Sequence, residues 1–333
     1  MMKVAVNGLG RIGKLVLRSL IEAFDAEIVL LNDPAGDPEQ HALLLEFDTV
    51  HGRWPAEFAY DASSITLNGH RMRLSQERRL EALDLAGVDM VVDCTGVFKT
   101  ATKLQPYFDA GVKKVVVSAP VKDGGALNLV YGVNHDLYRA QDHRLITAAS
   151  CTTNCLAPIV KVLQDNVGIR HGSMTTIHDV TNTQTIVDRP AKDMRRARSA
   201  LNSLIPTTTG SATAITQIFP ELAGRLNGHA VRVPLLNASL TDCVFEMARE
   251  VTAPELNAQF EAAANGPLNG ILGYETRPLV SADYTNDTRS SIIDAPSTMV
   301  VAGTQAKIYA WYDNEMGYAW RLADIVRMVA GHG

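Results

Sequence analysis

The chain has 333 residues, 46% of them hydrophobic and 20% charged, which is enough to bury large cores and suggests two domains rather than one. A net charge of −5 argues against a general nucleic-acid role. No apolar run reaches the roughly 18 residues that a membrane-spanning helix needs, so no membrane insertion is expected. The sequence enters a strand pattern at once, without a signal-peptide pattern. Its cysteines, Cys94, Cys151, Cys155 and Cys243, show neither disulfide-framework nor Cys-x-x-Cys spacing. A reduced, cytoplasmic protein without a metal site is therefore expected.

Lys3–Asn7 is an apolar strand pattern. Gly8-Leu-Gly10-Arg11-Ile12-Gly13 follows it, and then a helical run from Lys14 to Ala23. This is the GxGxxG fingerprint between a strand and a helix, where glycines permit a tight turn and bring a pyrophosphate close to backbone N–H groups. A second strand, Glu27–Leu31, ends at Asn32-Asp33. Asp33 lies about 20 residues beyond Gly13, where a carboxylate accepts bonds from an adenosine ribose. Asn68-Gly69 between alternating runs predicts a hairpin. Asp89–Cys94 and Lys113–Ser118 read as buried parallel strands with Ala101–Ala110 as the helix between them. Thr95 and Ser118 are small residues at their carboxyl ends, the edge where ligands bind in such sheets. This first domain is expected to close near residue 150.

Ser150-Cys151-Thr152-Thr153-Asn154-Cys155 follows the strand-like run Arg144–Ala149 and opens an amphipathic run, Leu156–Leu163. Ser150 is a good N-cap, so Cys151 falls in the first turn of a predicted helix. Free N–H groups and the positive end of the helix dipole act there and favour a thiolate over a thiol. Cys151 is thus the candidate nucleophile, against the blander reading of a small buried cysteine.

After this helix the pattern changes. Gly172–His178, Gly228–Val233, Ser239–Ala248 and Ala306–Tyr312 are long alternating strands. With helices over Gly210–Phe219 and Pro254–Ala264 they predict a mostly antiparallel sheet. His178 to Pro206 is a long, polar, irregular segment carrying Arg195-Arg196-Ala197-Arg198, and a long loop in a compact domain is usually functional. Met316–Val329 is an amphipathic final helix.

Together these residues resemble phosphorylating glyceraldehyde-3-phosphate dehydrogenase over essentially the whole chain. The motifs that carry the resemblance are Asn7–Gly13, Ala149–Cys155, Thr175–His178, Asp193–Arg198, Ile205–Gly210, Ala230–Pro234 and Trp311–Gly317. Within the family, Thr176–Thr185, Arg232–Asp242 and Ser297–Val301 are similar to the branch associated with arsenic-resistance operons. The implied fold is α/β: a Rossmann-type NAD-binding domain over residues 1–150, with the C-terminal helix 316–333 packing back on it, and an α+β catalytic domain over 151–315.

The resemblance implies roles residue by residue. Cys151 attacks the aldehyde carbon, and His178 pairs with the thiolate and then serves as base. Thr181, Arg196 and Arg232 hold the substrate's own phosphate. Ser150, Thr152, Thr209 and Gly210 hold the attacking anion. NAD is the implied cofactor, with NADP as the weaker alternative, and its contacts are Gly8, Gly10, Arg11, Ile12, Gly13, Asp33, Arg78, Thr95, Ser118, Asn314 and Tyr318. The implied reaction is NAD-dependent oxidation of glyceraldehyde 3-phosphate through a cysteine thioester. Phosphate then yields 1,3-bisphosphoglycerate, and arsenate yields 1-arseno-3-phosphoglycerate. The implied partners are the small-molecule substrate, the inorganic anion, three further copies in a homotetramer and an organoarsenical exporter, with no nucleic acid.

Two rivals are weighed. Erythrose-4-phosphate dehydrogenase shares the cysteine and histidine but departs from the intact Thr208-Thr209-Gly210 site. A non-catalytic binding protein on the same fold is opposed by the complete catalytic set. This chain also departs from the family. Asp179-Val180 replaces the usual Ser-Tyr after the histidine, and Thr183 and Thr185 stand for Asp and Arg. Thr213 replaces a Lys, and Arg189 replaces a Leu found in NAD-specific members.

Overall fold

The computed structural model describes residues 2–23, 27–121 and 123–331, with the side chain of Thr213 outside that description. The chain divides into two compact units. The first holds the described residues of Met1–Tyr131, His135–Ala149 and Ala319–Gly333, and the second holds Gly132–Asn134 and Ser150–Tyr318.

In the first unit, Val4, Val6, Val91, Val92, Val115 and Val116 are all fully buried. Branched apolar residues buried on both faces are what a central parallel strand requires. The sheet runs in the order Leu127–Asn128, Leu145–Thr147, Lys114–Val117, Met90–Asp93, Lys3–Asn7, Glu27–Asn32, His70–Ser75, Ser64–Leu67, Phe58–Asp61. Pairing is parallel as far as His70–Ser75. The last two strands form antiparallel ribbons, and Asn68 and Gly69, at φ 48° and 81°, make the hairpin turn. Chain order reverses on either side of Lys3–Asn7. The carboxyl ends of Lys3–Asn7 and Met90–Asp93 therefore flank the switch point where doubly wound sheets bind ligands.

A buried polar chain pins these strand ends. Asn32 Nδ2 donates to Asn7 Oδ1 at 2.7 Å, Asn7 Nδ2 donates to Tyr107 Oη at 2.5 Å, and Tyr107 donates to Asp93 Oδ2 at 2.8 Å. Burial pushes the Asp93 carboxyl pKa up, while the Thr95 hydroxyl and the Tyr107 hydroxyl oppose that shift.

The second unit carries an eight-stranded sheet in the order Ile205–Thr208, Leu226–Arg232, Ile169–His178, Ser239–Met247, Gln305–Tyr312, Ser291–Asp294, Leu272–Glu275, with Met299–Val301 beside Gln305–Tyr312. Ile169–His178 with Leu226–Arg232, and Leu272–Glu275 with Ser291–Asp294, pair in parallel, and the other pairings are antiparallel. The sheet is mostly antiparallel, as the alternating runs predict.

The cysteine helix spans Cys151–Asn166, and its burial differs from the expected amphipathic stripe. Thr152 to Val160, Val162 and Leu163 are all buried. The strands Ile169–His178, Ser239–Met247 and Gln305–Tyr312 cover one side, and helices Ser211–Ile218 and Ala253–Asn265 cover another. The helix is therefore buried on every side over Thr152–Val160, and its polar residues Lys161, Gln164 and Asp165 mark the more open face of its second half. Burying each of its Leu, Ile and Val side chains contributes roughly 1.5–3 kcal/mol. The helix Pro38–Glu46 is not among the predicted elements, although its start is written in the sequence. Asp37 and Gln40 form a capping box, and Pro38 follows the cap.

Candidate active site

Ala149, at φ 55°, turns the chain into the cysteine helix through a left-handed conformation rare for a residue with a side chain. Ser150 caps that helix, its Oγ accepting from Thr153 N at 3.2 Å. Cys151 is the first helical residue and is partly exposed, so the free N–H groups of the first turn surround its base. His178 is the last residue of the strand Ile169–His178 and is 3% exposed. Its Nε2 stands 3.8 Å from Cys151 Sγ. Tyr312 meets the imidazole edge-on, with centroids 6.1 Å apart, and its hydroxyl bonds Thr152 Oγ1 at 3.0 Å and Thr176 Oγ1 at 2.7 Å. These bonds fix the floor beneath the cysteine–histidine pair.

The far nitrogen, His178 Nδ1, is crowded. Asp179 O lies 2.9 Å away, Asp179 Oδ1 2.9 Å and Arg232 Nη1 2.8 Å. Neither Asp179 carboxylate oxygen has a hydrogen-bond partner, so the Oδ1 approach is an ion pair by distance rather than an aligned hydrogen bond. Burial alone would lower the imidazole pKa. The Asp179 carboxylate and the Cys151 thiolate outweigh it and raise the value to about 9. Burial raises the Asp179 pKa, with His178 opposing.

Ser150 Oγ also lies 3.2 Å from Ser211 Oγ, and Thr209 Oγ1 accepts from Ser211 N at 3.2 Å. The start of helix Ser211–Ile218, with Thr209 and an exposed Gly210, therefore sits against the start of the cysteine helix. Two sets of N-terminal N–H groups with hydroxyls suit a dianion. The Thr152 hydroxyl is buried and engaged by Tyr312, which leaves its backbone N–H as the donor it offers.

Thr181 and Arg196 come together on the long loop. Arg196 Nη1 donates to Thr183 Oγ1 at 2.8 Å, and Thr183 Oγ1 lies 2.9 Å from Thr181 Oγ1. Arg232 is tied instead to His178 Nδ1 and to Asp179 O at 3.1 Å. Burial lowers the Arg232 pKa, the Cys151 thiolate opposes this, and the Arg196 charge adds to the lowering, so both guanidinium groups act on one region.

In the first unit the glycines divide their work. Gly8 has φ 94°, and a Cβ there would meet Thr95 N at 2.7 Å. A Cβ on Gly13 would meet Gly8 O at 1.8 Å. A Cβ on Gly10 would meet nothing within 4 Å, which leaves room for a pyrophosphate at the start of helix Arg11–Ala23. Asp33 accepts from Leu9 N at 2.7 Å and Ala35 N at 2.9 Å, so it is held at the fingerprint turn. Arg11 pairs with Asp48 at 2.6 Å, and Ile12 is half-buried beside it. Thr95 donates to Asp93 at 2.7 Å, and Ser118 N bonds Asp93 O at 2.9 Å. Arg78 is exposed on the loop after Gln76-Glu77, where Glu77 N bonds Asn32 Oδ1 at 2.9 Å. In the second unit Asn314 and Tyr318 are buried, and Asn314 Oδ1 accepts from Ser239 Oγ at 3.2 Å.

Residues 2–101 match the model of the glyceraldehyde 3-phosphate dehydrogenase NAD-binding domain, and residues 150–314 match that of its C-terminal domain. A Nostoc protein named glyceraldehyde-3-phosphate dehydrogenase 3 is 56% identical, over 98% of both chains. The chain belongs to the glyceraldehyde-3-phosphate dehydrogenase family. Glyceraldehyde-3-phosphate dehydrogenase 1 of Bacillus cereus is 47% identical over 100% of both chains, and the Geobacillus stearothermophilus enzyme is 48% identical over 99% of both. The chain is an NAD-dependent oxidoreductase of that family. The glycine cradle and Asp33 fit this cofactor chemically, with an open backbone approach for the pyrophosphate and a fixed carboxylate for the ribose.

Sequence reasoning passes over two residues gathered around the Cys151–His178 pair and the partner of a third. Tyr312 and Ser211 come from distant segments and are joined to the site only by sheet pairing and helix packing. Asp179 is visible as a departure from the family, but its carboxylate's return onto the histidine is not. Among the described residues no cluster of His, Cys, Asp and Glu could hold a metal ion, and no helix is long and apolar enough to cross a membrane.

Proposed function

We propose that the chain oxidises glyceraldehyde 3-phosphate through a thioester on Cys151 and passes the acyl group to an inorganic oxyanion. The observation that carries this reading is the 3.8 Å Cys151–His178 pair, flanked by the hydroxyl-lined helix starts and by the arginines Arg196 and Arg232. Cys151 adds to the aldehyde carbon, and the Cys151 N–H and His178 steady the oxygen that becomes charged. His178 gives its Nε2 proton to that oxygen, and takes it back as the carbon loses hydride. Bound NAD supplies the hydride acceptor. Arg196, Arg232 and Thr181 hold the substrate phosphate. Ser150, Thr209, Gly210 and the Thr152 N–H hold the oxyanion that attacks the thioester and frees the thiolate.

Phosphate and arsenate are both accepted in this reading, because hydroxyl and N–H donors discriminate little between tetrahedral dianions. The resemblance of Thr176–Thr185 and Arg232–Asp242 to the arsenic-operon branch supports arsenate as the physiological anion. The product is then 1-arseno-3-phosphoglycerate, handed to an organoarsenical exporter. The intact Thr208-Thr209-Gly210 disfavours erythrose-4-phosphate dehydrogenase, in which water attacks. A cytoplasmic homotetramer is the proposed form. The apolar residues Ile186, Val187, Met194, Leu201 and Leu204, exposed on the long loop, support burial against a neighbouring copy.

The test is NADH formation from glyceraldehyde 3-phosphate with no anion, with phosphate and with arsenate. Steady turnover with either anion and a single burst without one is expected. Steady turnover without any anion would mean that water attacks, and no burst at all would remove the oxidation.

A further inference from the structure

Asp179 is fully buried, yet neither of its carboxylate oxygens has a hydrogen-bond partner. Such a group is costly unless something nearby compensates its charge. His178 Nδ1 lies 2.9 Å from Oδ1. Two lone-pair acceptors at that separation repel, so a proton must belong to one of them.

We propose that Asp179 is a positioning residue for His178: its carboxylate holds the imidazole with a proton on Nδ1, in the cationic form that faces Cys151. This deepens the function proposed above and rests on it for the role of the pair. Arg232 opposes the arrangement, because its Nη1, 2.8 Å from Nδ1, donates there only when Nδ1 is unprotonated. The Asp179 carbonyl offers that guanidinium a second acceptor at 3.1 Å, so Arg232 Nη1 keeps an acceptor when Nδ1 carries a proton. The other groups facing the pair are the Cys151 thiolate, 3.8 Å from Nε2, the edge of Tyr312, and Glu315, whose charge acts on Asp179. The thiolate stabilises the imidazolium, and Glu315 favours a neutral Asp179. Thiolate, imidazolium, carboxylate and guanidinium thus alternate in sign through the site. The carboxylate strengthens His178 as the thiolate's counter-ion and, once the imidazolium has given its Nε2 proton to the substrate oxygen, as the base that takes it back.

The experiment uses the full-length enzyme with NAD bound, and the variants Asp179→Asn and Asp179→Ser. The His178 imidazole is titrated by NMR with isotope-labelled histidine, and Cys151 alkylation by iodoacetamide is timed at pH 7.5. The native inflection is expected near 9. In either variant it should fall by about one unit or more, with alkylation slowed about fivefold and kcat falling while the aldehyde KM stays within about twofold. An inflection and an alkylation rate unchanged in a folded variant would make Asp179 merely structural and overturn the proposal. If neither variant folds, the native titration decides: an inflection at or below 6.5 overturns it, and one near 9 supports it. Titration and alkylation need no aldehyde, so this proposal and the proposed reaction fail separately.

Discussion

Ser150 Oγ and Ser211 Oγ lie 3.2 Å apart, and through that contact the starts of two helices converge beside Cys151. Thr209 stands at this junction and caps Ser211 N. Replacing Thr209 with Val should raise the KM for phosphate on the order of tenfold, the scale of one hydrogen bond to a charged group. The aldehyde KM and the alkylation of Cys151 should stay within about twofold. An unchanged phosphate KM would place the attacking anion elsewhere.

The sequence is legible where chemistry and local structure coincide. Gly8–Gly13 between a strand and a helix, and Ser150 before Cys151, each announce a site within a few residues. The strands announce themselves through alternation, as Ser239–Met247 does with every second residue buried. Periodicity marks only the second half of the cysteine helix, where Lys161, Gln164 and Asp165 keep a polar stripe, because packing buries Thr152–Val160 on every side. It fails for Leu272–Glu275 and Ser291–Asp294 because such short strands carry too few residues for a period. Contacts such as Thr152 with Tyr312 depend on sheet register, and no local pattern encodes them.

Gly10 and Gly13 should respond to alanine in opposite ways. At Gly13 the new Cβ would lie 1.8 Å from the Gly8 carbonyl oxygen, so Gly13→Ala should lower stability by about 3 kcal/mol or prevent folding. At Gly10 nothing lies within 4 Å, so Gly10→Ala should unfold within about 1 kcal/mol of the native chain. Its NAD affinity should nevertheless fall on the order of tenfold, because the methyl group occupies the approach to the backbone. Thermal unfolding and NAD titration check both halves. Native NAD affinity in Gly10→Ala would mean that the pyrophosphate does not pass there.

Cys151 and Cys155 share a helix but not an environment. Cys155 is fully buried against Thr241 and Ser291, and burial pushes its thiol pKa up to about 12 despite those hydroxyls. Iodoacetamide should therefore label Cys151 and leave Cys155 unmodified. Cys151→Ser should abolish turnover while keeping the fold, and Cys155→Ala should remain active. Peptide mapping that found the label mainly on Cys155 would reverse the assignment.

The fold's response to pH follows from His178. Its folded value near 9 lies above the ordinary 6.5, so the imidazole proton stabilises the native state fully below about 6.5. That stability is lost as pH rises through about 9. Asp179 contributes in the same sense but from lower pH, because a carboxyl pKa raised by burial makes ionisation a cost above the ordinary value of 3.8. Urea denaturation from pH 6 to 10 should show stability falling between about 6.5 and 9 and levelling off above that, and His178→Asn should remove this fall. A fall that persists in this variant would belong to another group.

Arg189 carries the last prediction, on cofactor choice. Asp33, held by Leu9 N and Ala35 N, is expected to repel a 2′-phosphate and so favour NAD. Arg189 is exposed on the long loop, with its backbone N–H on Ala197 O at 2.9 Å. The neighbouring carboxylate that would neutralise it, Asp188, is taken by Arg198 Nε at 2.7 Å and by Ser199 N at 2.8 Å. Its guanidinium is thus not drawn into that pair, and guanidinium groups bind phosphate through paired donors. Arg189→Leu should therefore raise the ratio of kcat/KM for NAD over NADP by more than about twofold, with kcat for NAD unchanged. A ratio within about twofold, less than roughly 0.5 kcal/mol of discrimination, would remove Arg189 from cofactor choice. That outcome would leave Asp33 as the residue that selects NAD.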